Sequence, residues 1–299
     1  MLNNLDLFKV KIISELIKSE SLLIAAKNLK ITSSAISQNI KNIKRTLGKP
    51  LFVRVGKSIK PTQLALDIEK ISKPFFSNLN SLLENSNDKI SLIKVGAPLI
   101  FGSTILLDKL EIIRKKYSRV QFSISLLVTN KIIEELYDCK IDFGFIDDGP
   151  HIKNQNFLTT SPVWSEELIL CCSQEFYRNY LTRGCTLKIL KGLPHLPYHE
   201  GKEGVYKWYS YHYNTVPDLN WNFSIDSPYG VLNAILKGWG LGVIPKHLTT
   251  NFQKNIYIIQ GTKPIFTNTI LLAQNLSKVP TKTEKEIIKL ISDSKLSIF

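Results

Sequence analysis

Thr32-Ser33-Ser34-Ala35-Ile36-Ser37-Gln38-Asn39-Ile40-Lys41-Asn42-Ile43-Lys44-Arg45-Thr46-Leu47 is the stretch whose composition decides how this chain is read. Its large apolar residues fall at 36, 40, 43 and 47, a single narrow helical stripe. Thr32 supplies a capping hydroxyl at the start and Gly48 a left-handed stop at the end. The other faces carry Ser, Asn, Gln and Lys. A surface helix shaped by stability alone favours Glu and Ala over Ser and Asn. These residue types do suit a nucleic acid: Gln and Asn can pair bidentately with adenine, and Ser can bond to a base edge or a phosphate.

Upstream, Leu5, Phe8, Ile12, Ile13, Leu16 and Ile17 recur at helical spacing and predict an amphipathic helix over 4–19. Ser21 then opens a short second helix with Leu22, Ala25, Ala26 and Leu29 facing inward. Three short helices with a polar third one match a helix-turn-helix whose recognition helix enters the major groove. Downstream, Pro50-Leu51-Phe52-Val53-Arg54-Val55-Gly56-Lys57-Ser58-Ile59-Lys60-Pro61-Thr62 alternates apolar and basic residues around one glycine, a two-stranded wing. Ser33, Ser34, Ser37 and Gln38 are the candidate base readers, with Thr32, Arg54, Lys57 and Lys60 on phosphates.

Charge points the same way. The chain of 299 residues has 39 Lys+Arg against 25 Asp+Glu, a net +14. Residues 1–90 hold net +8 of it, and between Glu20 and Asp67 nine basic residues meet no acidic one. Such a field suits a polyanion. A merely lysine-rich solvated surface is the blander alternative.

Here the sequence resembles the LysR-type transcriptional regulators. The match is carried by Leu5 and Phe8, Ala25-Ala26 and Leu29, Ser34-Ala35-Ile36-Ser37-Gln38 and Ile40, then Leu47-Gly48, Pro50-Leu51-Phe52-Val53-Arg54 and Pro61-Thr62. Lys44 stands where the family commonly has Glu, and Ala65 where it commonly has Gly. A long helix follows from Thr62, capped by that hydroxyl, to about Leu83. Its residues Leu64, Ile68, Ile71, Phe75, Leu79 and Leu82 form a coiled-coil-like seam, and Pro74 should bend it. A helix beside a small DNA-binding unit has little core to enter, so this seam is read as the dimer contact, as the resemblance also implies.

Beyond the polar hinge 84–90, short apolar runs alternate with helices. Strands are expected at 92–95, 121–127, 141–146, 168–172, 195–198, 241–244, 256–259 and 267–273. Helices are expected at 103–116, 130–138, 186–191, 228–237 and 281–292. This repeated β-α-β pattern predicts a mostly parallel sheet. Chain crossings near 161–164 and 262–268 divide it into two lobes around a cleft. Lys94-Val95-Gly96-Ala97, Ile141-Asp142-Phe143-Gly144-Phe145 and Lys237-Gly238-Trp239-Gly240-Leu241-Gly242-Val243-Ile244-Pro245 extend the family resemblance more loosely. Cys139 replaces a common family glycine. The resemblance implies an effector domain similar to periplasmic solute-binding proteins, with a co-inducer between the lobes.

The expected fold is therefore an α+β multidomain chain. A winged helix-turn-helix spans 1–61, a linker helix and hinge 62–89, and a two-lobed α/β effector domain 90–299. Lobe I takes 90–161 and 267–299, and lobe II takes 162–266. Ser103 and Thr104 at a helix start, Thr129 after the second strand and Ser227 before helix 228–237 are the candidate effector contacts. They are equally readable as plain N-caps. With the domain's own +6 they favour a carboxylate or other anionic ligand.

Other motifs fail on context. The glycines 238, 240 and 242 follow a helix and precede a strand, the reverse of a dinucleotide loop. Asp142-Phe143-Gly144 lacks every companion of a kinase site. His195 and His199 are separated by Pro197, which denies them one helical face for zinc. Asp147-Asp148 reads as a solvated acidic loop rather than a metal site. Cys171 and Cys172 read as small core residues rather than a redox pair. No nucleophile, base and orienting acid form a set.

A transcriptional regulator is expected, not an enzyme, with no metal or prosthetic cofactor. Its partners would be double-stranded DNA, further copies of itself as homodimer or homotetramer, a small-molecule effector, and RNA polymerase. The N-terminus has no signal-like region and no run approaches the ~18 apolar residues of a membrane span, so a cytoplasmic protein without membrane contact is expected. The alternative is a cytoplasmic small-molecule-binding α/β protein whose N-terminal unit is an interaction module.

Overall fold

A computed structural model describes residues 5–55, 58–84, 91–153, 155–198, 203–221 and 223–292. The chain begins with α1 (Leu7–Ser19), α2 (Leu22–Leu29) and α3 (Ser33–Leu47). Each starts on the residue chemistry that starts helices. The side chains of Asp6, Ser21 and Thr32 accept from the backbone N–H groups of Lys9, Ile24 and Ala35. Gly48 closes α3 at φ 69°, its N–H on the Lys44 carbonyl. Ile12, Leu16, Ala25, Ala26 and Ile36 form one small core. Ile13, Ile43, Leu51 and Ala65 form a second. Ile36 is wholly buried, and truncating it to Ala should cost roughly 2–5 kcal/mol.

The antiparallel strands β1 (Phe52–Val55) and β2 (Ser58–Pro61) make the wing. The linker α4 (Gln63–Glu84) runs on through Pro74. Thr62 does not cap it as expected. Its hydroxyl donates to the Pro50 and Leu51 carbonyls, pinning the helix start to the entry of the wing. Nor is the apolar seam all outward. Leu64 and Ile68 pack into the core around Ile13 and Ile43.

The larger domain contains β3 (Ser91–Ala97), α5 (Leu99–Ser103), α6 (Ile105–Lys116), β4 (Val120–Leu126), α7 (Thr129–Tyr137) and β5 (Phe143–Asp147). There follow β6 (Leu158–Ser173), α8 (Gln174–Tyr180), α9 (Leu187–Leu190), α10 (Glu203–Tyr213) and α11 (Pro228–Leu236). The last are β7 (Gly242–Pro245), β8 (Ile256–Ile259), β9 (Phe266–Asn275) and α12 (Lys282–Ser292). The mostly parallel sheet is overturned. Among the described strands β3–β4 and β3–β5 run parallel, whereas β5–β9, β6–β7, β6–β8 and β6–β9 are antiparallel, with isolated parallel bridges at His195–Leu241 and Tyr198–Ile225. The reason is the length of β6, which carries the chain from one lobe to the other as a single strand with a bulge between Pro162 and Trp164, and β9 returns beside it. The crossings expected near 161–164 and 262–268 are thus one bulge and one strand start.

Each lobe has its own apolar core. Ile93, Val95, Phe101, Phe143, Phe145 and Ile287 belong to the first, and Leu170, Cys172, Trp208, Tyr209, Leu241 and Val243 to the second. Cys171 and Cys172 do face opposite sides of β6 and lie in two different cores, and burial pushes the Cys172 thiol up to about 12. Gly240 is fixed by space: at φ 158°, a Cβ there would stand 2.4 Å from the Pro194 carbonyl oxygen. Asp142 ties strand to helix, accepting from the Lys94 N–H at 2.6 Å and pairing with Lys278, which also reaches Glu284 at 3.1 Å.

Candidate DNA interface and effector cleft

The buried stripe of α3 sets what its other faces can do. With Ile36 and Ile43 inward, Ser34, Gln38, Lys41 and Arg45 are exposed and recur at steps of four, three and four, one outward face. Ser33 and Ser37 lie half-buried beside it. Asn39 is committed to its own helix, donating to the Ala35 carbonyl at 2.9 Å. Lys41 and Arg45 therefore join the expected set. Their spacing from Gln38 was available in the sequence, where they counted only as charge. Thr32 is exposed at the cap, accepting from Ala35 N–H at 3.1 Å. Arg54 is exposed on the wing. Lys60 is held by Glu20 at 2.5 Å and must exchange that carboxylate to reach a phosphate. Lys57 lies outside the described residues.

On the linker, Ile71 is 79% exposed and Phe75 47%, with Leu79 half-buried and Leu83 exposed. The side chain of Leu82 lies outside what is described. The same helix is tethered to the larger domain. Lys73 pairs with Asp138 at 3.6 Å, Lys70 lies over the Tyr137 ring, and Asn78 bonds to Ser277 O and Val279 N.

Between the lobes, the cleft is walled by Pro98, Leu99 and Ile100 at the head of α5, and by Asp147, Glu166, Tyr198, Lys207 and Asn268. Its outer part adds Thr129, Asp148 and Asp226. Thr129 is thus in place, though engaged: its hydroxyl donates to Asp147 Oδ2 at 2.9 Å. Asn268 donates to Asp147 Oδ1 at 2.7 Å. Ser227 caps α11, accepting from Gly230 N–H, while its neighbours Asp226 and Pro228 line the cleft.

Ser103 and Thr104 do not serve as expected. Ser103 ends α5, while Thr104 stands at the junction as the C-cap of α5 and the N-cap of α6 without a side-chain capping bond, and both hydroxyls donate to the Ile100 or Leu99 carbonyl one turn back. Their outward contacts link the lobes: Ser103 Oγ lies 3.2 Å from Tyr229 Oη and Thr104 Oγ1 lies 3.3 Å from His247 Nε2. The sequence could not show this, because the partners are more than a hundred residues away. The acidic lining was also missed. Asp147 looked like a solvated loop acid, and Glu166 sits in the part of β6 that was not read as strand.

Glu166 is 7% exposed, and its Oε1 meets no hydrogen-bond partner among the described residues. Burial, reinforced by the nearby Asp147 charge, pushes its carboxyl up to about 7, against a smaller pull from Asn268. His195 spends both ring nitrogens in the lobe core, Nδ1 at 2.9 Å from the Leu193 carbonyl and Nε2 at 2.9 Å from Tyr209 Oη, and burial drops it to about 4. His199, the other member of the pair rejected as a zinc site, lies outside the described residues. No described helix is long and apolar enough to cross a membrane.

Comparison with known proteins agrees with this geometry at both ends of the chain. Residues 7–66 match the description "Bacterial regulatory helix-turn-helix protein, lysR family", and residues 87–268 match "LysR substrate binding domain". The HTH-type transcriptional regulator TdcA of Escherichia coli K12 is 25% identical over 272 residues, 85% of this chain and 82% of that protein. Among solved structures, ArgP of Mycobacterium tuberculosis superposes with TM-score 0.76 at 14% identity, covering 97% of each chain. Full-length LysG of Corynebacterium glutamicum, with bound effector Arg, superposes with TM-score 0.69 at 13% identity over 96% of each chain.

Proposed function

The chain belongs to the LysR-type transcriptional regulators, DNA-binding proteins with an effector-binding domain and not enzymes, and on that premise we propose how its own residues divide the work. Gln38 and Ser34 read base edges from the outward face of α3, with Ser33 and Ser37 beside them. Lys41, Arg45, Thr32, Arg54, Lys57 and Lys60 lie along phosphates. The observation that carries this is the single exposed face Ser34-Gln38-Lys41-Arg45, set opposite the buried Ile36 and Ile43. Amides and hydroxyls supply base contacts, and bases supply salt-dependent affinity.

In the cytoplasm, two or four copies joined through Ile71, Phe75, Leu79 and their neighbours would bind a two-fold operator. No prosthetic group takes part. A small effector that fits one lobe arrangement better than another shifts the geometry of the assembly, and with it DNA bending and contact with RNA polymerase.

Fluorescence anisotropy on the DNA upstream of the protein's own gene tests the division of labour. Gln38→Ala should lower the ratio of operator to scrambled-DNA affinity by about tenfold, the worth of one bidentate base contact. An unchanged ratio removes Gln38 from base reading. Arg54→Ala should weaken both DNAs alike and flatten the slope of log affinity against log salt by about one. A loss confined to the operator would make Arg54 a base reader instead.

A further inference from the structure

We propose that the effector of this chain carries a cationic nitrogen, an ammonium or guanidinium, seated against Glu166 and Asp147. The inference rests on the reading of the interlobe cleft as the effector site and names the ligand chemistry that cleft selects.

Glu166 is the decisive side chain. It comes off β6 into the cleft wall, 7% exposed, with Oε1 unmatched by any described donor. A buried acceptor left bare costs free energy that a ligand's donor recovers, and a charged donor recovers most. Asp147, at the end of β5, stands near enough to raise the Glu166 carboxyl, so the two charges repel across the cleft wall. Thr129 and Asn268 fix the Asp147 oxygens by donating to both of them. This leaves a rigid acidic wall whose own donors are already spent.

The surroundings sharpen the sign. Asp148 and Asp226 line the outer cleft, while Lys207 is the basic residue among the described lining side chains and is itself engaged within the protein. Tyr198 completes the polar side. Behind Glu166, a neighbouring hollow presents Lys246 and His247, with Lys246 paired to Glu167 at 2.6 Å. A carboxylate ligand at Glu166 would meet like charge, so the anionic expectation from helix ends and net charge does not survive the lining. Leu99, Ile100, Phe101, Phe266 and Ile270 form the apolar part of the wall and take an aliphatic stem. The inner cleft holds about 190 Å³ and its outer part about 360 Å³, room for a small metabolite at the lower end of the ~300–1,000 Å³ of small-molecule sites.

Isothermal titration of the full chain tests this with agmatine, L-arginine and putrescine as probes, each set against glutarate and 1,5-pentanediol. At least one cation should bind at pH 8.5, with neither glutarate nor the diol binding. Its affinity should fall about tenfold at pH 6, where Glu166 is mostly protonated, and at least tenfold in Glu166→Gln at pH 8.5. Binding by glutarate in place of the cations, or no cation binding at 10 mM, overturns the proposal. Gly204→Trp, placed to fill the cleft, separates the two levels of the argument. Cation binding abolished by Gly204→Trp but indifferent to Glu166→Gln sinks the charge assignment alone. Binding indifferent to both sinks the cleft reading with it.

Discussion

Replacing Ile71 and Phe75 together by lysine should turn the protein into monomers in sedimentation and lower its operator affinity by roughly a hundredfold or more. Both side chains are exposed, and the contacts of α4 with the larger domain run through Lys70, Lys73 and Asn78 instead, so neither substitution empties a core or removes one of those contacts. Ile71 is 79% exposed, a degree of apolar exposure at odds with an isolated surface helix when Phe75 and Leu83 lie on the same stretch. Exposed substitutions of this kind usually change folding stability by no more than about 0.5 kcal/mol, so lost DNA binding would report assembly. The size follows from linkage. Two half-site contacts on one dimer gain an effective-concentration factor of about 10²–10⁴ over separate monomers. A double variant that still sediments as wild type and binds with unchanged affinity would place the dimer contact elsewhere on the chain.

Much of this was legible from residue patterns because it depends on local chemistry. Capping groups at Ser21 and Thr32, the stop at Gly48 and the stripe at 36, 40, 43 and 47 act within one or two helical turns. The wing was legible for the same reason. What sequence spacing could not divide was the α4 seam. Leu64 and Ile68 have the same spacing as Ile71 and Phe75, yet the first pair enters the core beside Ile13 and the second stays exposed. Only the neighbouring elements decide that.

The cleft failed for a related reason. Hydroxyls at helix ends look alike in sequence whether they face a ligand or a carbonyl one turn back, and Ser103 and Thr104 chose the carbonyls. Leu158 to Ser173 mixes polar and apolar residues because its strand passes between two lobes and changes neighbours along its length. That mixture concealed Glu166, the residue with the most telling surroundings in the domain.

Those surroundings also fix a stability experiment that needs no ligand. In the folded chain Glu166 holds its proton up to about pH 7, against an ordinary value of 4.5, chiefly because burial penalises the charge and secondarily because Asp147 repels it. The native state therefore binds this proton more tightly than the unfolded state does. The group is harmless below about pH 4.5, becomes progressively destabilising between 4.5 and 7, and exacts its full cost above 7. That cost is on the order of 3 kcal/mol at one pKa unit per 1.36 kcal/mol. Glu166→Gln keeps the shape and removes the ionisation. Its melting temperature should exceed that of the wild type by several degrees at pH 8, and the advantage should shrink towards zero at pH 5, where the wild-type carboxyl is protonated. An equal difference at both pH values would mean that Glu166 does not titrate in this range. A variant less stable at pH 8 would mean that its charge is already matched within the folded protein. Added cationic effector should raise the wild-type stability at pH 8 by an amount that grows with its concentration, and should raise that of the glutamine variant less.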